Sequence, residues 1–317
     1  MKKIAAVLAF VAVYSLPALP QKGSNPFGGR WDLTVTTPGG AHAQWMEIVD
    51  MDGKITGRIQ PGGGAVRDIV AARMDGTHLI VTVVAAGKAP AVTWDLTVDG
   101  GTLTGTQKQG DNSDTRIAGV RAPELKRPMP RSWTAPEALF NGKDLTGWEP
   151  VSNPANNHWA ATKDGELWNQ NKGSNIGTTR VFDDLKLHIE VNCPNAPPPS
   201  TELCNSGIYL RGRYEIQVGS EGGRQASHEM GAIYGYFAPA VDMPLGAGEW
   251  QTFDVTLVGR SVTVFRNGIQ IHDNREMPGI TGGALDSHEG EPGPIFLQGD
   301  HDGGMKYRHI TIAVPQR

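Results

Sequence analysis

The sequence has no excess of positive charge, no apolar run long enough to span a membrane and no sustained helical pattern. Its net charge is −4 at pH 7, so it offers no basic surface for nucleic acid. The apolar run at residues 4–13 is about half the ~20 residues that a transmembrane helix needs. Glycine is frequent, at 41 of 317 residues, but the absence of a Gly-X-Y repeat excludes a collagen-like protein. The balance of 38% hydrophobic and 20% charged residues indicates a soluble globular protein.

The first 20 residues have the pattern of a secretory signal. Lys2 and Lys3 precede the apolar run, and cleavage is expected near residues 18–21. No cysteine lies in or just after the run, so a bacterial lipid anchor is not indicated. We therefore expect a periplasmic or secreted protein.

The two cysteines, Cys193 and Cys204, are the only candidates for a disulfide. Export makes the bond plausible, and the proline-rich interval between them would be clamped as a stiff loop. The alternative is a pair of free, buried thiols.

A proline-rich segment divides the mature chain. Residues 121–136 contain four prolines, and we place a linker at 123–136. Residues 21–122 alternate between apolar and polar positions, and Asp-Gly turns at Asp52, Asp75 and Asp99 have nearly even spacing. This pattern predicts an antiparallel meander closed into a small barrel, with an accessory or spacer role. We expect the two domains to fold independently.

Residues 137–317 also predict an all-β domain. Strand-like alternation is clear at 185–192, and Asn267-Gly268 is a strong hairpin signal. Strands with one apolar and one polar face belong to antiparallel sheets, and about 180 residues of them fit a two-sheet jelly roll.

The polar face of residues 205–218 is the first candidate site. Period-two geometry places five side chains on one face: Tyr209, Arg211, Arg213, Glu215 and Gln217. Such a face suits a sugar-binding sheet, in which an aromatic ring stacks on the sugar and polar groups bind its hydroxyls. The alternative is a solvated outer face that carries surface ion pairs.

Two further groups are candidates. Glu190 lies on the polar face of the preceding strand, with a lone exposed carboxylate as the alternative. Gln298, Asp300, His301 and Asp302 lie at a strand end between glycines, where polar groups reach pockets, although they could be plain turn residues.

Several segments together resemble the 3-keto-disaccharide hydrolase family, whose domains have a concanavalin A/laminin G-like jelly roll. They are ALFNGKDLTGW (138–148), FDDLKLHIEVNCP (182–194), NSGIYLRGRYEIQV (205–218), GAIYG (231–235), GEWQTFDV (248–255) and GPIFLQGDHDGG (293–304). The N-terminal domain loosely resembles lipocalin-like modules that precede some secreted enzymes.

The resemblance implies cleavage of the glycosidic bond of 3-keto-glycosides. The site residues it implies are Glu190, Asn205, Tyr209, Arg211, Glu215, Gln217, Gln298 and His301. Two departures are the long stretch between the cysteines and His309, where the family usually has asparagine.

A ketone at C3 acidifies the hydrogen at C2, so a base can start β-elimination of the aglycone, followed by addition of water. Glu215 and His301 rank first as the base and Glu190 next, while Arg211 would stabilise the enolate. No cofactor or metal ligand set is evident, although this fold is compatible with a structural divalent cation. Beyond a carbohydrate, the sequence indicates no partner.

Two other functions remain open. One is a non-catalytic carbohydrate-binding module. The other is a retaining glycosidase of the laminarinase type that uses Glu215 and Glu221, against which Gln217 stands where that signature has aspartate.

Overall fold

The computed structural model describes residues 25–83, 91–109, 112–194, 203–220, 225–301 and 303–316. The predicted signal at 1–20 lies outside these residues. Among the described residues, helix is limited to two 3₁₀ turns, Pro154–Asn156 and Ala226–His228. Within the same ranges, nothing helical has the length and apolar character needed to cross a membrane.

The N-terminal domain is an antiparallel meander that closes into a barrel, as the turn spacing predicted. Its strands are β1 (Gly29–Thr37), β2 (Gly40–Met51), β3 (Lys54–Gln60), β4 (Arg67–Asp68), β5 (Ala71–Asp75), β6 (His78–Val83), β7 (Val92–Asp99), β8 (Thr102–Gln109) and β9 (Asn112–Arg121). β1 pairs with both β2 and β9. Ile69 N donates to the Gly57 carbonyl and Val70 N to the Thr82 carbonyl, which bridges the remaining gap between β3 and β6.

The barrel interior is filled by the apolar members of the alternating strands. Trp31, Leu33 and Val35 on β1 are buried, as are Trp94 and Leu96 on β7. Burying large aromatic and aliphatic side chains is the main favourable term for such a small domain.

The C-terminal domain is a sandwich of two antiparallel sheets, which confirms the predicted jelly roll. The larger sheet contains β10 (Glu137–Ala138), β12 (Trp159–Ala161), β13 (Leu167–Asn169), β15 (Leu185–Asn192), β18 (Trp250–Val258), β19 (Ser261–Arg266), β20 (Ile269–Glu276) and β22 (Lys306–Ala313). The smaller sheet contains β11 (Trp148–Pro150), β14 (Ile176–Thr178), β16 (Leu203–Leu210), β17 (Tyr214–Ser220) and β21 (Phe296–Leu297). One apolar core lies between the sheets and includes Leu187 and Ile189 of β15 and Ile208 and Ile216 of the smaller sheet.

Two hairpin turns position strands of the sandwich. Asn267 and Gly268 join β19 to β20 with φ of 50° and 75°, as their sequence predicted. Arg211 and Gly212 join β16 to β17 with φ of 51° and 68°. The sequence prediction treated 205–218 as one strand face, and it was wrong at this point because the chain reverses at Arg211.

The barrel packs against the sandwich through buried polar and aromatic contacts. The Arg260 guanidinium forms a buried ion pair with Glu289, with Nη2 2.6 Å from Oε2. Asp32 of β1 is 2% exposed and lies against this pair. Trp45 of β2 meets Tyr236 edge to face, with ring centroids 6.3 Å apart. Independent folding of the two domains stays a prediction.

Candidate functional site

A cavity of about 250 Å³ lies over the smaller sheet of the sandwich. Strands β16 and β17 form its floor, and the segment after β21 forms one side. Most of the predicted site residues line it: Asn205, Tyr209, Glu215, Gln217, Gln298 and His301. The geometry therefore brings together side chains that are up to 96 positions apart in the sequence.

Tyr209 and Glu215 form the centre of the floor. They are opposite each other in the β16–β17 ladder, so antiparallel pairing puts both side chains on the same face. The Tyr209 hydroxyl lies 2.7 Å from Glu215 Oε2 and 3.0 Å from the Gly282 carbonyl oxygen. The Tyr209 ring stacks on Phe296 of β21, with centroids 3.9 Å apart. This stacking fixes the direction in which the hydroxyl points.

The Glu215 carboxylate is buried, at 2% exposure, and is hydrogen-bonded at both oxygens. Tyr209 lies at Oε2, and the Gln217 amide, oriented with Nε2 toward the carboxylate, donates to Oε1 at 3.0 Å. Gly207 makes room for this arrangement, because a Cβ there would collide with Glu215 Oε1. Both oxygens of the Glu215 carboxylate therefore already accept a hydrogen bond.

Tyr209 stays protonated in this environment. Burial raises the pKa of its hydroxyl well above the ordinary value, and the charges of Glu215 and Asp300 raise it further. The phenol is therefore a neutral hydrogen-bonding group at the base of the cavity.

The segment after β21 supplies the opposite side of the cavity. Gln298 N donates to the Gly207 carbonyl at 3.0 Å, which continues the β16–β21 pairing. The Gln298 Oε1 atom is buried without a hydrogen-bond partner among the described residues. His301 lies at the rim with its side chain 38% exposed, and its Nε2 is 3.7 Å from Asp300 Oδ1. Asp302 lies outside the described residues.

Arg211 does not line the cavity, which corrects the prediction that it faces the substrate. It sits at the β16–β17 turn, fully buried, with Nη1 2.9 Å from Asp183 and Nη2 2.7 Å from the Gly259 carbonyl. Arg213 is likewise held by Asp286. The reversal of the chain removes both arginines from the polar face, and both anchor neighbouring loops.

Glu190 is also absent from the cavity. It lies on β15 of the larger sheet, whereas the floor belongs to the smaller sheet. Its oxygens are 2.7 Å from Arg308 Nε and 2.7 Å from His309 Nδ1, and these partners lower the pKa of its carboxyl despite partial burial. His309, noted as a departure from the family, thus contacts Glu190 on the side away from the site.

The sequence reasoning missed the remaining lining residues. Tyr234 is held beside the floor because its backbone N donates a hydrogen bond to the Glu215 carbonyl. Gly282 and Gly283 border Tyr209. Gly62–Gly64 come from the barrel, which was expected to be an accessory. The only sequence signals were the glycine runs at 62–64 and 282–283 and the quoted GAIYG segment.

Cys193 and Cys204 form the expected disulfide, with Cα atoms 5.4 Å apart. This bond ends next to Asn205, so it anchors the edge of the cavity where β16 begins. The residues at 195–202 lie outside the described part of the chain, as does Glu221.

Comparison with known protein families agrees with the resemblance seen in the sequence. Residues 135–313 match the family model for the 3-keto-alpha-glucoside-1,2-lyase-like domain. The chain belongs to this family. The matched residues include the whole cavity floor, whereas the barrel lies outside them. None of the curated proteins compared with the chain matches it.

Solved structures similar to the chain are β-rich domains. One, from Parabacteroides distasonis and provisionally assigned as a glycosyl hydrolase, is 28% identical, with 60% of this chain and 93% of that one covered and a TM-score of 0.48. A second from the same organism, with the same provisional assignment, is 18% identical, with 57% and 94% covered and a TM-score of 0.44. The carbohydrate-binding module CBM66 from Bacillus subtilis is 13% identical, with 54% and 97% covered and a TM-score of 0.33.

The described residues contain no group of three or more histidine, cysteine, aspartate or glutamate side chains that could hold a metal ion.

Proposed function

We propose that this protein is an exported enzyme that cleaves the glycosidic bond of 3-keto-glycosides by removing the C2 proton. The observation that carries the proposal is the meeting of Glu215, Tyr209 and His301 at one small cavity. Family membership supports the substrate class, because the family is described as 3-keto-alpha-glucoside-1,2-lyase-like.

The size and polarity of the cavity fit one sugar ring. Its volume of about 250 Å³ falls just below the ~300–1,000 Å³ of sites for drug-sized ligands. The unpartnered Gln298 Oε1 would accept a hydrogen bond from a sugar hydroxyl. Leaving a buried acceptor unsatisfied costs about 1–3 kcal/mol, so a polyhydroxyl ligand would recover that free energy.

His301 is the base in this proposal. Imidazole is the side chain most often used for general base catalysis, and His301 is reachable from solvent at the rim. The Asp300 carboxylate, 3.7 Å away, would stabilise the imidazolium formed when His301 takes the proton. Glu215 is a weaker candidate because both of its oxygens already accept hydrogen bonds.

The elimination proceeds in two steps, removal of the C2 proton and departure of the aglycone. His301 takes the C2 proton, and the electron pair of the broken C2–H bond forms an enolate with the C3 ketone. The C3 ketone then re-forms, the C1–C2 double bond forms and the C1–O bond breaks, so that the aglycone leaves with the glycosidic oxygen, which takes its proton from the His301 imidazolium. Water adding across C1–C2 would complete a net hydrolysis. With Arg211 outside the cavity, the Asn205 amide is the neutral donor available to the enolate oxygen.

A non-catalytic binding module is the second candidate. A surface module binds sugars on a shallow aromatic groove, whereas this cavity contains two carboxylates and a histidine beside two tyrosines. A laminarinase-type reaction would need Glu221 beside Glu215, and Glu221 lies outside the described residues.

The test compares a 3-keto-glucoside with the same unmodified glucoside. We expect turnover of the 3-keto substrate alone, and a loss of ~10²-fold or more in kcat for His301→Ala. Glu215→Gln should lose a similar amount, because it disturbs the Tyr209 hydroxyl. His188→Ala is a matched control, since His188 also pairs with a carboxylate, Asp254 at 2.7 Å, but lies outside the cavity. Full activity in the His301 variant would contradict the proposed base.

A further inference from the structure

The barrel contributes a loop to the wall of the sugar cavity. Residues 61–64, which we call the barrel loop, follow β3 and read Pro-Gly-Gly-Gly. Gly62, Gly63 and Gly64 line the cavity together with the floor residues of the sandwich. The wall is therefore built by a domain that lies outside the matched family domain.

One buried side chain holds the barrel loop in its shape. Gln60 is 1% exposed, and its amide contacts the loop at two points. Its Oε1 accepts from Gly62 N at 2.7 Å, and its Nε2 donates to the Gly64 carbonyl at 2.8 Å. Gly62 and Gly64 have φ of 89° and 71°, which suit glycine, so the loop has one well-defined path.

The barrel loop is docked on the segment that borders the floor. Gly283 N donates to the Gly62 carbonyl at 2.8 Å. A Cβ on Gly282 would come within 2.8 Å of the Gly64 carbonyl oxygen, and a Cβ on Gly283 would collide with the Tyr209 hydroxyl. The lack of side chains at 282 and 283 thus lets the barrel loop approach Tyr209, with a single backbone segment between the loop and the Tyr209 ring.

Apolar and polar contacts join the two domains beside the barrel loop. Trp45, Ala43 and Ile280 form a small apolar cluster shared by the two domains. The Thr34 and Ser287 hydroxyls meet at 2.6 Å across the same interface. Contacts of both kinds hold the barrel in place, so the position of the loop is part of the folded structure.

We infer that the barrel loop determines which glycosides enter, by closing one side of the cavity so that it takes a single sugar ring at the end of a short glycoside. The 3-keto identity of that ring rests on the proposed function. The size limit rests on the geometry alone. A sugar within a longer chain needs an opening on both sides, and the barrel loop occupies one of them.

Gly63 provides the sharpest test. It is exposed, has no atom within 4 Å of an added Cβ and does not need a positive φ, so a side chain there leaves the fold intact. Gly63→Phe adds an aromatic ring at the wall of the cavity, and Gly63→Ala should have an intermediate effect. Gly101→Phe is the matched control, because Gly101 is equally open, lies in the same barrel and is away from the cavity.

The first readout needs no substrate. Diethyl pyrocarbonate modifies exposed histidines, and peptide mass analysis gives the rate at His301 relative to His188 in the same molecule. We expect a several-fold lower relative rate at His301 in Gly63→Phe and no change in Gly101→Phe. The second readout is KM for a 3-keto-glucoside, which should rise by about tenfold or more in Gly63→Phe.

The outcomes separate this inference from the proposed function. An unchanged relative rate at His301 in Gly63→Phe would overturn the inference. If the wild-type protein turns over no 3-keto-glycoside, the proposed function fails, and the His301 rates still decide whether the barrel loop covers the cavity.

Discussion

Replacing Asp32 with asparagine should stabilise the protein at alkaline pH and remove a pH dependence of folding. Asp32 lies on β1 at the interface with the sandwich, and Glu289 is fully buried beside it. Burial and the Glu289 carboxylate raise the pKa of Asp32 to about 8, although the Arg260 cation opposes this. The folded protein therefore keeps a proton there that the unfolded chain releases near its ordinary pKa of 3.8.

The direction in which stability changes with pH follows from the number of protons that each state binds. Between about pH 4 and pH 8 the folded state binds more protons than the unfolded state, so stability falls as pH rises. Above pH 8 both states have released the proton and the loss levels off. One pKa unit corresponds to about 1.4 kcal/mol, so the difference between 3.8 and about 8 sets the total loss at no more than about 6 kcal/mol. This upper limit applies when the proton is on Asp32 and not on Glu289.

Asparagine imitates the protonated acid, because its amide can donate to the Glu289 carboxylate without carrying a charge. We expect Asp32→Asn to match the wild type near pH 4 and to gain stability progressively up to pH 8. Urea denaturation followed by tryptophan fluorescence measures this, since Trp45 lies opposite Asp32 in the β1–β2 ladder. Asp75→Asn, at an exposed barrel carboxylate, is the control. A stability difference that does not change between pH 4 and pH 8 would refute the argument.

Two further substitutions test the corrected placement of predicted site residues. Arg211→Ala should destabilise the protein by roughly 3 kcal/mol, because hydrogen bonds to a buried charged group are lost, as measured by denaturation. Its folded fraction should keep the wild-type KM, and a selective rise in KM would return Arg211 to the site. Glu190→Gln should leave kcat near the wild-type value in the same assay, since Glu190 lies on the larger sheet and does not line the cavity. A large loss of turnover there would contradict its exclusion from the cavity.

The alternation of strand residues predicted most of the fold because it has a direct physical cause. A period of two separates buried from exposed faces, so Leu187 and Ile189 in the core could be assigned from spacing. The same rule placed Tyr209, Glu215 and Gln217 on one face. It failed at Arg211, since an Arg-Gly pair is a weaker turn signal than Asn-Gly.

The placement of the two domains could not be predicted in this way. Contacts such as Gly283 N to the Gly62 carbonyl join residues 221 positions apart, and no local pattern encodes them. Glycine lacks a side chain that could signal a binding role, so the barrel loop gave no chemical clue. Glu190 was included from its strand face and from the family resemblance, and neither identifies the sheet to which a residue belongs.

The most direct test of the central claim is the fate of the C2 hydrogen. A 3-keto-glucoside deuterated at C2 is compared with the protiated substrate, using wild-type protein and the His301→Ala variant. Proton abstraction by His301 predicts slower cleavage of the deuterated substrate by the wild type, together with C2 exchange with solvent that is lost in the variant. Equal rates for both substrates, with cleavage of the unmodified glucoside as well, would contradict elimination and indicate an ordinary glycosidase.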